Sequence, residues 1–268
     1  MEELTLEQIK ARELNVLRQF DAFCRENNIR YFLSNGTLLG AVKYKGFIPW
    51  DDDIDVLIPR GDYDRFLELF PKGGALELLC RERDAEYPFP FAKLSEKETV
   101  ITNQTTLKNY RPGLHIDIFP LDFWGEDIES AKKQANALRS LCNKYAMSFS
   151  RFVRGRNVVR TVAKTGLIAL ARIRGRKRIE TKLKAETDAV LKAAGESFCG
   201  CVVWAVYGEG EIHPRHIFEN TVEVEFEGGR YPAPKGFDDY LRSHYGDYEK
   251  DPPKGKCRSH HSFKAYKL

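Results

Sequence analysis

Tyr31-Phe32-Leu33-Ser34-Asn35-Gly36-Thr37-Leu38-Leu39-Gly40 and, shortly after, Trp50-Asp51-Asp52-Asp53-Ile54-Asp55-Val56-Leu57-Ile58-Pro59 decide how the fold is read. A short apolar run enters a polar turn, Thr37 to Tyr44 reads as a short helix closed by Gly46, and Ile54 to Ile58 has the β-branched character of a buried strand. Alternate residues of a strand face the same way, so Asp53 and Asp55 point together while Ile54 enters the core. Adjacent carboxylates raise one another's pKa unless a cation lies between them. Hard divalent ions are bound by one or two carboxylates together with phosphate oxygens, so the spacing suits a metal that neutralises a phosphorylated substrate. Asp51 and Asp52 read as turn or outer residues.

The bland alternative is a solvated acidic turn. Against it stands Gly36-Thr37 at the start of a helix, where free N–H groups and the helix dipole favour an anion such as phosphate. Gly-Thr alone is a weak sign; followed by Asp-x-Asp on the next strand it becomes specific, and it calls for a third carboxylate on a neighbouring strand. His115-Ile116-Asp117-Ile118-Phe119 supplies one, since alternation puts His115 and Asp117 on one face. Asp117, amid Ile, Phe and Pro, needs a partner. His115 reads as a satisfied core histidine in preference to a ligand.

Outward from this block, apolar residues from Leu4 to Cys24 recur at helical spacing and predict a helix over Thr5 to Asn27. Pro59 stops the acidic strand, and Asp62 is placed to cap a helix through Phe70. Further strands are expected at Leu76–Cys80, Phe89–Leu94, Thr99–Thr102, Leu114–Phe119 and Val222–Phe226. Residues 126–194 read as helical, Tyr231–Gly236 as a Pro/Gly-rich loop and Phe237–Tyr245 as a helix. The expected class is α+β, a mixed sheet flanked by helices with a helical basic insertion. Without repeats or low-complexity linkers, residues 1–268 are taken as one unit: a catalytic core over 1–125, the insertion over 126–198, and a part over 199–268 that completes the site.

With 268 residues, 42% hydrophobic and 12% aromatic, the chain can bury a sizeable core, which excludes a disordered or fibrous protein. No run approaches eighteen uncharged apolar residues, and the first thirty are charged from Glu2 onward, so neither a signal peptide nor a transmembrane span is expected. The six cysteines are scattered and read as reduced thiols of a cytoplasmic protein. Cys199-x-Cys201, Cys257, His260 and His261 suggest zinc without matching a standard knuckle, and buried free thiols are the plainer reading. The tail from Lys254 to His261 reads either as a cover over the site or as a frayed terminus.

Net charge is only +4, yet from Arg139 to Lys184 fourteen Lys and Arg stand against a single acid, Glu180. Interleaved with Val158, Val159, Val162, Leu167, Ile168 and Leu170, these charges can form a cationic flank beside an apolar stripe, a pattern suited to the surface of an anionic membrane. The alternative is the solvated face of a packed helix. Nucleic acid is not expected as a partner, because no recognition motif or aromatic platform accompanies the charge.

The block Gly36-Thr37-Leu38-Leu39-Gly40, Gly46 to Val56 and His115-Ile116-Asp117-Ile118-Phe119-Pro120-Leu121-Asp122 resembles the LicD family of phosphocholine transferases; fukutin and the fukutin-related protein carry related domains. The similarity extends to Phe89–Lys93, Asp239-Tyr240-Leu241, Tyr245-Gly246-Asp247 and the tail from Pro252-Pro253 to His260-His261, and omits the basic middle. It implies a nucleotidyltransferase-like fold in which Asp53, Asp55 and Asp117 are catalytic and hold Mg²⁺, or Mn²⁺ in its place. It also implies transfer of phosphocholine from CDP-choline to a sugar hydroxyl of a glycan or lipid-linked glycan, such as lipopolysaccharide or a teichoic acid precursor. Within that scheme Gly36 and Thr37 contact donor phosphate, and Lys93 is a weaker phosphate candidate whose plain alternative is a surface lysine. Peripheral contact with the inner membrane face would help capture a lipid-linked acceptor. Two alternatives stay open: nucleotidyl transfer or transfer of another CDP-activated alcohol phosphate (ribitol or glycerol), and a catalytically silent glycan-binding module, against which the three carboxylates argue.

Overall fold

The computed structural model describes residues 1–102, 107, 110–150, 158–192, 195–250 and 263–268. After a two-residue strand β1 (Glu2–Glu3), Thr5 caps helix α1 (Leu6–Glu26). Its hydroxyl accepts from the Gln8 N–H at 3.3 Å while the Gln8 side chain accepts from the Thr5 N–H at 2.8 Å, a reciprocal box that satisfies the helix start. Ile9, Glu13, Leu17, Phe20 and Cys24 fall on the buried face, so a carboxylate interrupts an otherwise apolar stripe. Strand β2 (Phe32–Leu33), helix α2 (Asn35–Tyr44), strand β3 (Asp55–Pro59) and helix α3 (Arg60–Leu69) follow. Phe20 and Phe23 of α1 meet Phe66 of α3 edge-on at 5.3 and 5.8 Å, and this aromatic contact locks the two helices together.

Strands β4 (Leu76–Leu79), β5 (Ala92–Glu96), β6 (Thr99–Thr102) and β7 (His115–Gly125) lead to three helices, α4 (Ile128–Phe149), α5 (Val158–Arg174) and α6 (Arg176–Leu191). Short strands β8 (Phe198–Gly200) and β9 (His213–Pro214), a hairpin of β10 (Thr221–Phe226) and β11 (Gly229–Pro234), helix α7 (Phe237–Tyr245) and strand β12 (Lys264–Lys267) complete the chain. The central sheet runs β2-β3-β7-β5-β4; β3 and β7 are parallel and the other pairs antiparallel, while the far end of β7 pairs with β8, which pairs with β9. The mixed sheet and its flanking helices are the α+β architecture the sequence implies. Val56, Ile58, Ile116 and Ile118 are wholly buried, and a second apolar cluster gathers Trp124, Leu138, Cys142, Tyr145 and Leu183 around α4 and α6.

Three local expectations need correction. Tyr231–Pro234 is not a loop but most of β11, with Pro232 opposite Glu223 and Pro234 opposite Thr221; a two-stranded ribbon has outer edges where a proline's missing N–H costs no ladder bond. Asp62 does not cap α3, which starts at Arg60 behind Pro59. Its carboxylate instead takes the Arg30 N–H at 3.3 Å and pairs with Arg65 at 2.8 Å. Strand β7 runs six residues beyond Phe119, because its second half is held by β8.

Candidate active site

Register alone brings three site residues into a row. On adjacent strands Asp55 of β3 stands opposite Asp117 of β7, and Asp117 stands opposite Lys93 of β5. Asp53 lies two residues before Asp55, and together with Asp117, Lys93 and His115 it lines a cavity of about 50 Å³. Lys93 is not a surface residue: it is 6% exposed, ion-pairs with Asp117 and lies over the rings of Phe89 and Phe91 at 5.1 and 5.3 Å. His115 presents Nδ1 to the Gly113 carbonyl at 2.8 Å, which fixes the proton there and leaves Nε2, 2.9 Å from the Lys93 ammonium, to accept. It is a core histidine that orients Lys93.

Helix α2 begins beside this row. The Thr37 hydroxyl accepts the backbone N–H of Asp55 at 2.8 Å, so the side chain ties the helix to the acidic strand. At Gly36 a β-carbon would stand 2.8 Å from the Asp51 carboxylate, so the missing side chain lets an acid approach the helix start. Asn35 holds a left-handed conformation, φ 46°. It accepts from the Tyr240 hydroxyl at 3.0 Å and bonds Asp55 through its side chain, joining β3 to α7. Gly36, Thr37, Asp53, Asp55, Lys93 and Asp117 are thus gathered around one end of β3 and β7.

The electrostatics are those of an anion-rich site short of cations. Burial raises the Asp55 carboxyl well above the usual range, and the nearby charges of Asp53 and Asp117 raise it further, against the Asn35 bond. Glu13, on the buried stripe of α1, faces the same cavity: burial, then Asp53, Asp52 and Asp117, push it up as well. Its Oε2 is buried without a hydrogen-bond partner among the described residues. Sequence reasoning missed Glu13 and Asn35; the signal for Glu13 was an acid four residues after Ile9 on the apolar face. Among the described residues no three Asp, Glu, His or Cys side chains stand at metal-ligand spacing. The carboxylates are splayed, Asp117 toward Lys93 and Asp51 toward Gly36. By chemistry, however, the gathered carboxylate oxygens of Asp53, Asp55 and Asp117, with few cations beside them, fit a hard dication.

Cys199 and Cys201 are buried free thiols, and burial pushes Cys199 up to about 12. Cys257, His260, His261 and the Lys254–His261 tail lie outside the described residues, as do Arg151, Arg154 and Arg156 of the basic stretch.

Acidic strand residues lined up beside a helix start suit a nucleotidyltransferase-type domain, and the sequence relatives put the chain in that class of transferases. Residues 28–159 match the family model described as LicD/FKTN/FKRP, nucleotidyltransferase domain. Over 273 aligned residues, covering all of both chains, the sequence is 30% identical to the lipopolysaccharide cholinephosphotransferase LicD of Haemophilus influenzae. Shorter matches reach an uncharacterised protein of Rickettsia typhi (37% over 81 residues, 27% of this chain and 26% of that one) and another of Rickettsia prowazekii (45% over 47 residues, 18% of each). The chain belongs to the LicD family.

Proposed function

We propose that the protein transfers phosphocholine from CDP-choline to a sugar hydroxyl of a cell-surface glycan, lipopolysaccharide or a teichoic acid precursor, with Mg²⁺. The observation that carries the reading is the Asp55–Asp117–Lys93 row beside the start of α2, in a chain similar along its whole length to a lipopolysaccharide cholinephosphotransferase. Asp53 and Asp55, with Asp117, would hold the ion, which when bound supplies positive charge to the donor diphosphate. The acceptor oxygen attacks the phosphocholine phosphorus, the bond to the CMP oxygen breaks, and the hydroxyl proton passes to Asp117, whose carboxylate Lys93 orients. The N–H groups at Gly36 and Thr37 face the donor phosphate. Such transfer depends chiefly on positioning and charge neutralisation, which is what this site can provide.

The test is product analysis with CDP-choline and glycan acceptor, with and without Mg²⁺. Metal-dependent release of CMP with choline on the glycan is expected. Pyrophosphate release from CTP, or preference for CDP-ribitol or CDP-glycerol, would overturn the named reaction while keeping the fold.

Helix α5 supports peripheral attachment at the inner face of an anionic membrane, where a lipid-linked acceptor would be met. Val162, Leu167, Leu170 and Ile173 are all exposed, 51–81%, and lie within an arc of about 140° at 100° per residue. Arg172 and Arg174 close the same helix and Arg176, Lys177 and Arg178 open the next. Among the described residues no helix is long and apolar enough to cross a membrane.

A further inference from the structure

A second pocket adjoins the acidic row on the side of Asn35. It is bordered by Asn35, Phe119, Trp204, Tyr207, Glu211 and Tyr240. Asn35 belongs to both sites, because it bonds Asp55 on one side and Tyr240 on the other. Glu211 ends a short 3₁₀ turn (Gly208–Glu211), is 6% exposed, and has no Lys or Arg paired with it among the described residues. Backbone bonds from Tyr207 and Cys201 hold its carboxyl in place. Burying a carboxyl without a counter-charge is costly unless it keeps its proton or meets a cation; here burial pushes it up to about 8.

Aromatic rings complete the pocket. Tyr207, on its wall, is 52% exposed and its ring packs on His244 at 5.4 Å, as does that of Tyr245, 38% exposed, at 5.9 Å. His244 packs in turn on Tyr240 at 4.6 Å, with both of its ring nitrogens buried and unbonded among the described residues. The ring faces of Phe119, Trp204, Tyr207 and Tyr240 make up much of the wall, and Asn35, His213 and the Glu211 carboxyl are among its polar groups. Electron-rich faces around a carboxylate are the chemistry that selects a quaternary ammonium.

We propose that this pocket is the subsite for the trimethylammonium group of the donor, seated on the Tyr207 ring with the Glu211 carboxyl behind it, which releases its proton to solvent as the cation binds. The proposal rests on the reading of the donor as CDP-choline. The cavity behind the rings holds only about 20 Å³, so the methyl groups lie at its mouth while Glu211 acts from beneath. The phosphate of the same ligand would then reach the Asp55 side through the Asn35 junction.

Calorimetric titration of the full-length protein with CDP-choline, CDP-glycerol and CMP tests this. Glu211→Gln and Tyr207→Leu are each expected to weaken CDP-choline roughly tenfold while leaving CMP and CDP-glycerol unchanged, and Tyr207→Phe, which keeps the ring, to restore affinity. A purely structural role would weaken all three ligands together, or none. If the wild-type protein binds CDP-choline more tightly than CDP-glycerol and the two variants keep that ratio, the subsite is overturned and the functional reading stands. If the wild-type protein shows no preference for CDP-choline, the donor reading falls and the subsite with it.

Discussion

Asp55 has two roles that one substitution separates. Its backbone N–H is fixed by Thr37, and its carboxylate faces Asp53 and Asp117. Asp55→Asn keeps the first and removes charge from the second, so turnover is expected to fall by about 10²-fold or more, the scale of losing one preorganised electrostatic contact. Circular dichroism and melting temperature should stay at or above wild type, since the change relieves a crowded buried acid; near-normal turnover would remove Asp55 from the mechanism. Glu211 gives a pH signature. Its folded pKa, about 8, lies above its ordinary 4.5, so below pH 4.5 both states are protonated and the group is neutral to stability. Between 4.5 and 8 the unfolded chain ionises while the folded one does not, and stability drains away as pH rises. Glu211→Gln should therefore melt with wild type near pH 4 and above it by pH 8; a constant offset would contradict the shift. At this scale the proximity of Asp53, Asp55 and Asp117 was legible, from alternation within each strand and from the need for a third carboxylate on a neighbouring one. Glu13 was not, because an acid inside a helical stripe looks like ordinary surface charge until the fold buries it.

Among the elements, α2 shows why the motif spaces its glycines as it does. A β-carbon at Gly40 would stand 2.4 Å from the Gly46 carbonyl and 3.1 Å from the Ile48 nitrogen, so the helix packs backbone to backbone on the loop that delivers Trp50 to Asp55. Lys45, left-handed at φ 58°, turns the chain out of the helix into that loop. Gly40→Ala must push the two apart, a cost of about 1–3 kcal/mol of the kind overpacking brings. Urea denaturation should show the loss, and donor affinity should drop with it because the acidic strand entry moves; an unchanged midpoint would mean the loop yields freely. That α2 and β3 exist was readable because helix period and β-branched run agree, but α2 starts two residues before Thr37 and ends on left-handed Lys45 in place of a glycine. Strand β11 was hidden by its own prolines, and the sheet of β1, β12 and β6 by the separation of its strands: Glu3 pairs with Tyr266 from the opposite end of the chain, a partnership no local pattern encodes.

Across the whole molecule, charge and apolar exposure are segregated. The acidic end collects Glu13, Asp52, Asp53, Asp55 and Asp117 against one buried lysine, while the basic excess lies in the helices inserted between β7 and β8. A soluble surface seldom leaves four large aliphatics contiguous on one helix, and α5 does so with Arg172 and Arg174 beside them. An anionic bilayer satisfies both features at once, burying the stripe while attracting the cations. The opposite sign of the acidic end would then hold that end away from the lipid. Flotation with vesicles containing anionic phospholipid is expected to carry the protein upward at low salt and release it as salt rises. Leu170→Ser combined with Ile173→Ser should abolish flotation yet leave CDP-choline binding in solution intact, because neither side chain approaches the site. Wild-type protein that stays at the bottom at low salt would remove the membrane from the account and leave α5 as a face awaiting another protein.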